Sequence, residues 1–472
     1  MGKQTLAVMI GAGIFFPPEF CVAARREIRA AVEKAGCNVL MMPEEATAFG
    51  GIRSPEEGRK FAAFLRDHEG GYDGVVLSLP NFGNENSAIL GLRDCGTPIL
   101  IQAYPDSIGS MDVKNRRDAF CGKMSIMDLF HQAGLPYTVC PPHTISPEDP
   151  RFETQLGDFA ALCRVVKRMR RVNAGAIGAR TTPWKTVRTD EYALEGMGIT
   201  VETLDLSEIF HRVETLDAAS PKYRAKEEAY RQYANWGKVP QDNFSTMVKT
   251  AVVLDDVIDE YKLDCLGLRC WNEFEAVLHI GPCLILSELC NRRIPAACEV
   301  DVGNALSMLA LQEASGKPAA VLDWNNNYGG EEDKCVLFHC GPVAKDMLAG
   351  EREVVDNPLQ AMVHGPDHAW GASQARIRPS PMTYLSARTE KGRLGFYMGE
   401  GRFTDDPIED AFFGNAGVAQ IPNLQKVLAG AGQYGFRHHV SVTLSKSEKV
   451  LKEAFVKYLG YDVINVSDCP SL

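Results

Sequence analysis

Leu6-Ala-Val-Met-Ile10, Asn38-Val-Leu-Met-Met42, Gly74-Val-Val-Leu-Ser78 and Pro98-Ile-Leu-Ile-Gln102 are short apolar runs, and helical stretches separate them. Glu19 to Ala35 and Ser54 to His68 repeat apolar residues with the 3.6-residue period of a helix. Strands alternating with helices of this length build βαβ units and an open, doubly wound parallel sheet. Gly11-Ala-Gly13 follows the first run, but the third glycine of the dinucleotide fingerprint is missing, which argues against a nicotinamide cofactor.

Working outward, Pro141 to Pro150 is rich in proline and acidic residues and reads as a boundary before a helix from Phe152 to Arg171. A second α/β series follows. Its expected strands are Ala174–Gly178, Thr200–Leu206, Cys265–Arg269, Pro295–Cys298 and Ala319–Asp323, with helical periodicity over Glu227–Tyr233 and Phe244–Tyr261. After about residue 345, Arg376–Arg388, Gly392–Met398 and Val440–Leu444 carry β-type patterns between Gly and Pro punctuation. The expected fold is α/β: two doubly wound parallel-sheet domains (1–150 and 151–345) followed by a smaller, antiparallel, β-rich, barrel-like domain (346–472).

A chain of 472 residues is too long for one compact core, which agrees with several domains. A net charge of -11 denies nucleic acid the basic surface that supplies most of its affinity for protein. The amino-terminal run has no small-residue cleavage site, and no apolar run is long enough to span a bilayer. Fourteen cysteines without a Cys-x-x-Cys pair read as reduced, buried small residues rather than a disulfide framework or a zinc ribbon. A cytoplasmic protein acting on a small molecule, with neither membrane nor nucleic acid as partner, is expected.

The chemistry concentrates between Arg269 and Leu306. Trp271-Asn-Glu273-Phe-Glu275 and Cys298-Glu299-Val-Asp301-Val-Gly303 each follow an apolar run and precede a helix-like segment. Ligands collect at the carboxyl ends of strands in open α/β sheets, so acids at two such ends can share a divalent cation. Taken singly, each acid is as well explained as a helix cap or a solvated charge. His438-His439, ahead of the strand-like Val440–Leu444, offers an imidazole, which shifts the preference toward Mn²⁺. A sugar presenting its C1 and C2 oxygens fits the open positions of such a site.

Glu275-Ala-Val-Leu, Ala297-Cys-Glu-Val-Asp301-Val-Gly-Asn-Ala-Leu306, Phe338-His339-Cys340-Gly341 and Gly435-Phe-Arg-His-His439-Val together resemble the L-fucose/L-arabinose isomerase family, and its shorter fucose-isomerase-like members most closely. The resemblance implies a Mn²⁺-dependent aldose-ketose isomerase, with Mg²⁺ or Co²⁺ as substitutes, that moves a carbonyl between C1 and C2 through an enediol. It implies a homo-oligomer, trimer or hexamer, in which a neighbour's first domain closes the site. Two metal-binding carboxylates double as acid and base: Asp301, and Glu275 with Glu273 as a rival. His439, or its neighbour His438, completes the ligands, because strand alternation lets one of the two face inward.

Other residues have two readings. His339 lines the site or bonds within the core. Trp271 stacks on a sugar face or packs in the interior. Asn81 and Glu85 face a neighbour's site by resemblance, or begin a capped helix. Arg180 binds a substrate oxygen or makes a surface ion pair. His364 and His368 are spaced like ligands on a helix, but the intervening proline makes the segment a loop. Arg180 or Arg376 would suit a C6 substituent such as a sulfonate, since Arg grips such oxygens bidentately. The alternatives to an isomerase are a non-catalytic sugar-binding protein and a divalent-metal aldolase or epimerase.

Overall fold

A computed structural model describes residues 2–469. The chain forms two compact units, one from residues up to Lys167 with Lys452–Gly460, the other from Arg168–Leu451 with the segment from Tyr461 on. In the first unit β1 (Thr5–Ile10), β2 (Asn38–Leu40), β3 (Gly74–Leu79) and β4 (Ile99–Ala103) form a parallel sheet of order β2-β1-β3-β4. Every residue of β3 is buried, as a central parallel strand requires. The connecting helix Pro55–Asp67 starts at a capping box, in which Ser54 and Glu57 satisfy each other's backbone N–H.

The second unit begins with the same arrangement. Strands β5 (Val172–Ile177), β6 (Ile199–Leu204), β7 (Cys265–Leu268) and β8 (Ala296–Cys298) pair in parallel in the order β6-β5-β7-β8. Strand order reverses between β5 and β7, the kind of point beside which ligand crevices form. Both acidic clusters issue from the carboxyl ends of β7 and β8.

The third sheet is the largest, with nine strands: β9 (Ala319–Tyr328), β10 (Glu331–His339), β11 (Leu348–Asp356), β12 (Trp370–Ile377), β13 (Ser380–Glu390), β14 (Arg393–Phe403), β15 (Asn415–Gln420), β16 (His439–Thr443) and β17 (Asp462–Val463). Ladders run from β9 to β10, β15, β14, β13, β16 and back to β9, so six strands close a ring. A closed ring removes the open edges on which strands aggregate. The β12–β15 pairing is parallel, so the sheet is mixed rather than wholly antiparallel.

Ala319–Asp323 therefore does not extend the second parallel sheet, as its apolar character suggested; it opens β9 of the ring. A five-residue apolar run reads the same in either sheet. The difference lies downstream, where Gly329-Gly330 turns the chain into β10 and supplies a local antiparallel partner. The long helix Val302–Ser315, buried along nearly its whole length, touches β7 on one side and β9, β13 and β16 on the other. No helix among the described residues is long and apolar enough to cross a membrane.

Candidate metal centre

Asp301 caps the helix Val302–Ser315 and is completely buried. Its Oδ1 accepts from the Asn304 backbone N–H at 3.0 Å and from Arg437 Nη1. Its Oδ2 accepts from Asn304 Nδ2 at 2.7 Å and from His439 Nδ1 at 2.8 Å. Burial would push its carboxyl up, but the Arg437 guanidinium and the bond from His439 outweigh that and hold it well below the usual carboxylate range. Both oxygens expected to bind metal are thus engaged. Because a carboxylate can only accept, Nδ1 of His439 carries the hydrogen of that bond.

With Nδ1 holding its hydrogen, Nε2 of His439 is the nitrogen that offers a lone pair when the ring is neutral, and it has no hydrogen-bond partner. It lies 3.5 Å from Glu299 Oε2 and 3.4 Å from Asp323 Oδ1. Glu299 Oε2, Asp323 Oδ1 and His339 Nε2 are likewise buried without partners. Two overlapping trios that could hold a metal ion result: Glu299 with His438 and His439, and Asp323 with His339 and His439, each with ligand atoms within 4.8 Å of one another. The orphaned acceptors Glu299 Oε2 and Asp323 Oδ1 are costly, and a cation beside them removes the cost, whereas the neutral His339 ring, whose Nδ1 accepts from Cys340 N–H, carries its hydrogen on Nε2. One carboxylate with two imidazoles, as each trio offers, suits a first-row divalent ion such as Mn²⁺. These residues fit the metal that the resemblance implies.

The electrostatics favour positive charge here, carried in the absence of an ion by the protonated His439 ring, whose Nε2 proton a bound cation would displace. Burial lifts Glu299 to about 7, against the opposing pull of His439. His439 itself is raised to about 9: burial lowers it, but its bond to Asp301 and the charges of Asp323 and Glu299 prevail. Burial and the neighbouring His439 lower His438 to about 4, and its side chain is 40% exposed where that of His439 is fully buried. The backbone N–H of Cys340 donates to His339 Nδ1 at 3.0 Å.

Glu275 and Glu273 separate cleanly. Glu273 is partly exposed and paired with Arg269, Nη2 to Oε1 at 2.5 Å. Glu275 is buried, 2% exposed, with Oε2 unpartnered, and burial lifts its carboxyl to about 8. Trp271 packs edge-on against Trp184, ring centres 5.0 Å apart. Arg180 turns to its own loop, donating from Nη1 to the carbonyls of Thr181 and Thr182 at 3.0 and 3.2 Å. Arg376 bonds the carbonyls of Glu409 and Phe412. His364 ends the helix Pro358–His364, and the residues after it form a turn leading to His368. In the first unit, buried Asn81 accepts from Gly13 and Gly83 backbone N–H at 2.8 and 3.1 Å, and Glu85 opens the helix Glu85–Leu92 that Asn84 caps.

Two features escape a reading of the sequence. Asp323 ends an apolar run, the same signal that marked the other acids. Cys270, Cys283, Cys298 and Cys340 come from four separate segments yet lie together, with Cys270–Cys298 and Cys283–Cys340 sulfurs 2.8 and 3.4 Å apart.

Residues 7–170 match the family described as fucose/sulfoquinovose isomerase, N-terminal domain, and residues 337–467 match L-fucose isomerase, C-terminal domain. A protein of Alkalicoccus urumqiensis named sulfoquinovose isomerase is 23% identical over 282 residues, covering 59% of this chain and 62% of the relative. A protein of the same name from Priestia aryabhattai is 22% identical over 314 residues, 65% of this chain and 66% of the relative. One from Clostridium sp. (strain MSTE9) is 23% identical over 306 residues, 63% and 65%. The matches span just under two thirds of these relatives' own lengths.

Proposed function

The chain belongs to the fucose/sulfoquinovose isomerase family, and on that premise we propose that it is a metal-dependent aldose-ketose isomerase moving a sugar carbonyl between C1 and C2 through an enediol. The observation that carries the proposal is the pair of possible metal-holding trios that meet at His439, one with Glu299 and His438 and the other with Asp323 and His339. His439 would hold a divalent ion, Mn²⁺ for preference, either with Glu299 and His438 or with Asp323 and His339. Bound there, the ion would stabilise negative charge on the sugar oxygens as the enediol forms.

The protein's own groups supply the rest. Glu275, half-protonated near pH 8, is suited to exchanging a proton between carbon and oxygen, because a catalytic pKa close to the working pH serves both directions. Asp301 orients His439 and balances Arg437. A six-carbon sugar bearing a C6 sulfonate is our proposed substrate, supported by the name that the relatives carry.

We further take the protein to be a cytoplasmic homo-oligomer. Exposed Phe15, Ile108 and Val113 in the first unit support the oligomer, since apolar side chains so open to water suit an interface.

The test is metal analysis of the purified protein combined with product analysis on a panel of aldoses, sulfoquinovose included. Conversion to the matching ketose by a manganese-loaded protein is expected. Fragmentation of the carbon skeleton would indicate an aldolase, and a metal-free protein converting none of the sugars would overturn the proposal in favour of a binding protein.

A further inference from the structure

Arg352, on β11, lines a pocket of about 370 Å³ in the second unit, walled also by Gln232, Tyr233, Asn235, Lys345 and Glu351. The arginine is 4% exposed. Its Nη1 donates to Ser287 Oγ and its Nη2 to the Val343 carbonyl, both at 2.7 Å, while Nε has no acceptor. The guanidinium carbon stands 5.1 Å from the centre of the Tyr233 ring, and Lys345 Nζ stands 5.7 Å from the same ring. Among the described residues no carboxylate pairs with Arg352 in an ion pair, and burial disfavours its charge.

Two neutral acceptors and a ring face soften a buried guanidinium without neutralising it. Arginine cannot shed its proton, and a buried charge without a partner is strongly destabilising. Lys345 adds a second cation at the rim, where its Nζ donates to the Gln232 carbonyl at 3.1 Å. The acid in the wall, Glu351, is solvent-exposed, so water and salt weaken its hold on the interior. The pocket therefore lacks a countercharge.

We propose that this pocket binds a small oxyanion, the phosphate or carboxylate group of a metabolite, which neutralises Arg352 with Lys345 as the second contact. Arg352 offers the planar fork that such oxygens accept, and Lys345 a mobile point charge. The pocket shares no residue with the candidate metal centre, so the proposal stands or falls apart from the isomerase reading.

The experiment is thermal unfolding of the full chain in rising inorganic phosphate, and separately in succinate, against sodium chloride at matched ionic strength. Saturable stabilisation by one of the two that chloride does not reproduce is expected, and which anion produces it identifies a phosphate or a carboxylate ligand. Lys345→Glu should weaken the apparent affinity by about tenfold or more, and Arg352→Met should remove saturation. Lys345 is exposed, so its variant carries the test even if Arg352→Met does not fold. Equal behaviour of all three salts, or an unchanged affinity in Lys345→Glu, overturns the proposal.

Discussion

The Nδ1–H of His439 donates to Asp301 Oδ2 at 2.8 Å, and this bond decides which nitrogen of the buried ring keeps its lone pair. The sequence pattern marks both residues as ligands. In the proposed centre their work differs, His439 offering Nε2 to the ion and Asp301 orienting the ring through Nδ1.

Asp301→Asn keeps a helix-capping side chain but leaves Arg437 buried without its countercharge. Metal affinity should fall about 10–100-fold through loss of ring orientation. Stability should drop by roughly 3–5 kcal/mol, the usual cost of breaking a buried pair. Metal titration and thermal unfolding read the two effects, and a wild-type metal affinity would show that the ring needs no such support.

Glu275→Gln preserves shape and removes the titrating group. Turnover should fall by about 10²–10⁴ while metal content stays near wild type, as befits loss of a general acid-base group. Kinetics with metal analysis on the same preparation checks this; loss of the metal instead would move Glu275 into the ligand set.

The same carboxyl predicts how stability depends on pH. Burial raises Glu275 from the ordinary 4.5 to about 8, so in that interval the folded chain binds a proton that the unfolded chain does not. Its contribution to stability therefore declines as pH rises from about 4.5 to about 8 and is level outside that window. Denaturant unfolding of metal-free protein at several pH values should show a shallower decline in Glu275→Gln than in wild type.

Gly267, on β7, lies against the second acidic cluster. A Cβ there would stand 2.8 Å from the Val300 carbonyl carbon and 3.0 Å from the Asp301 nitrogen, backbone atoms that cannot swing aside. Gly267→Ala should cost about 1–3 kcal/mol by overpacking and lower turnover by displacing Glu299. Unfolding and kinetic measurements test this, and full activity would mean that the loop accommodates the methyl group.

The parallel sheets were legible because a run such as Gly74–Leu79 is apolar at almost every position, which few environments other than a central strand explain. The roles proposed for Glu299 and Asp301 are not. Glu299 and Val300 have φ of 62° and 58°, left-handed values uncommon for either residue and unusual above all for a β-branched valine. Strand alternation fails across such a bend, so no count along Cys298-Glu-Val-Asp301 reveals which acid faces inward. Glu275 was distinguishable from Glu273 only once burial was known. Asp323 does not stand out because its strand reads equally well in the second parallel sheet, and the long-range pairing that puts it opposite His439 is not encoded in local pattern.

Within the closed ring, Asp323 stands directly opposite His439 on β16 and opposite Phe338, the residue before His339, on β10. Deleting one residue between Ala319 and Asp323 would send the carboxylate to the other face of the strand and dismantle the centre at a stroke. The tip of the β9–β10 hairpin, around Gly329-Gly330, can lengthen or shorten without that consequence. Over evolutionary time, variation in length should therefore gather at that tip and spare the segment before it, a pattern that a collection of divergent descendants of this chain would display.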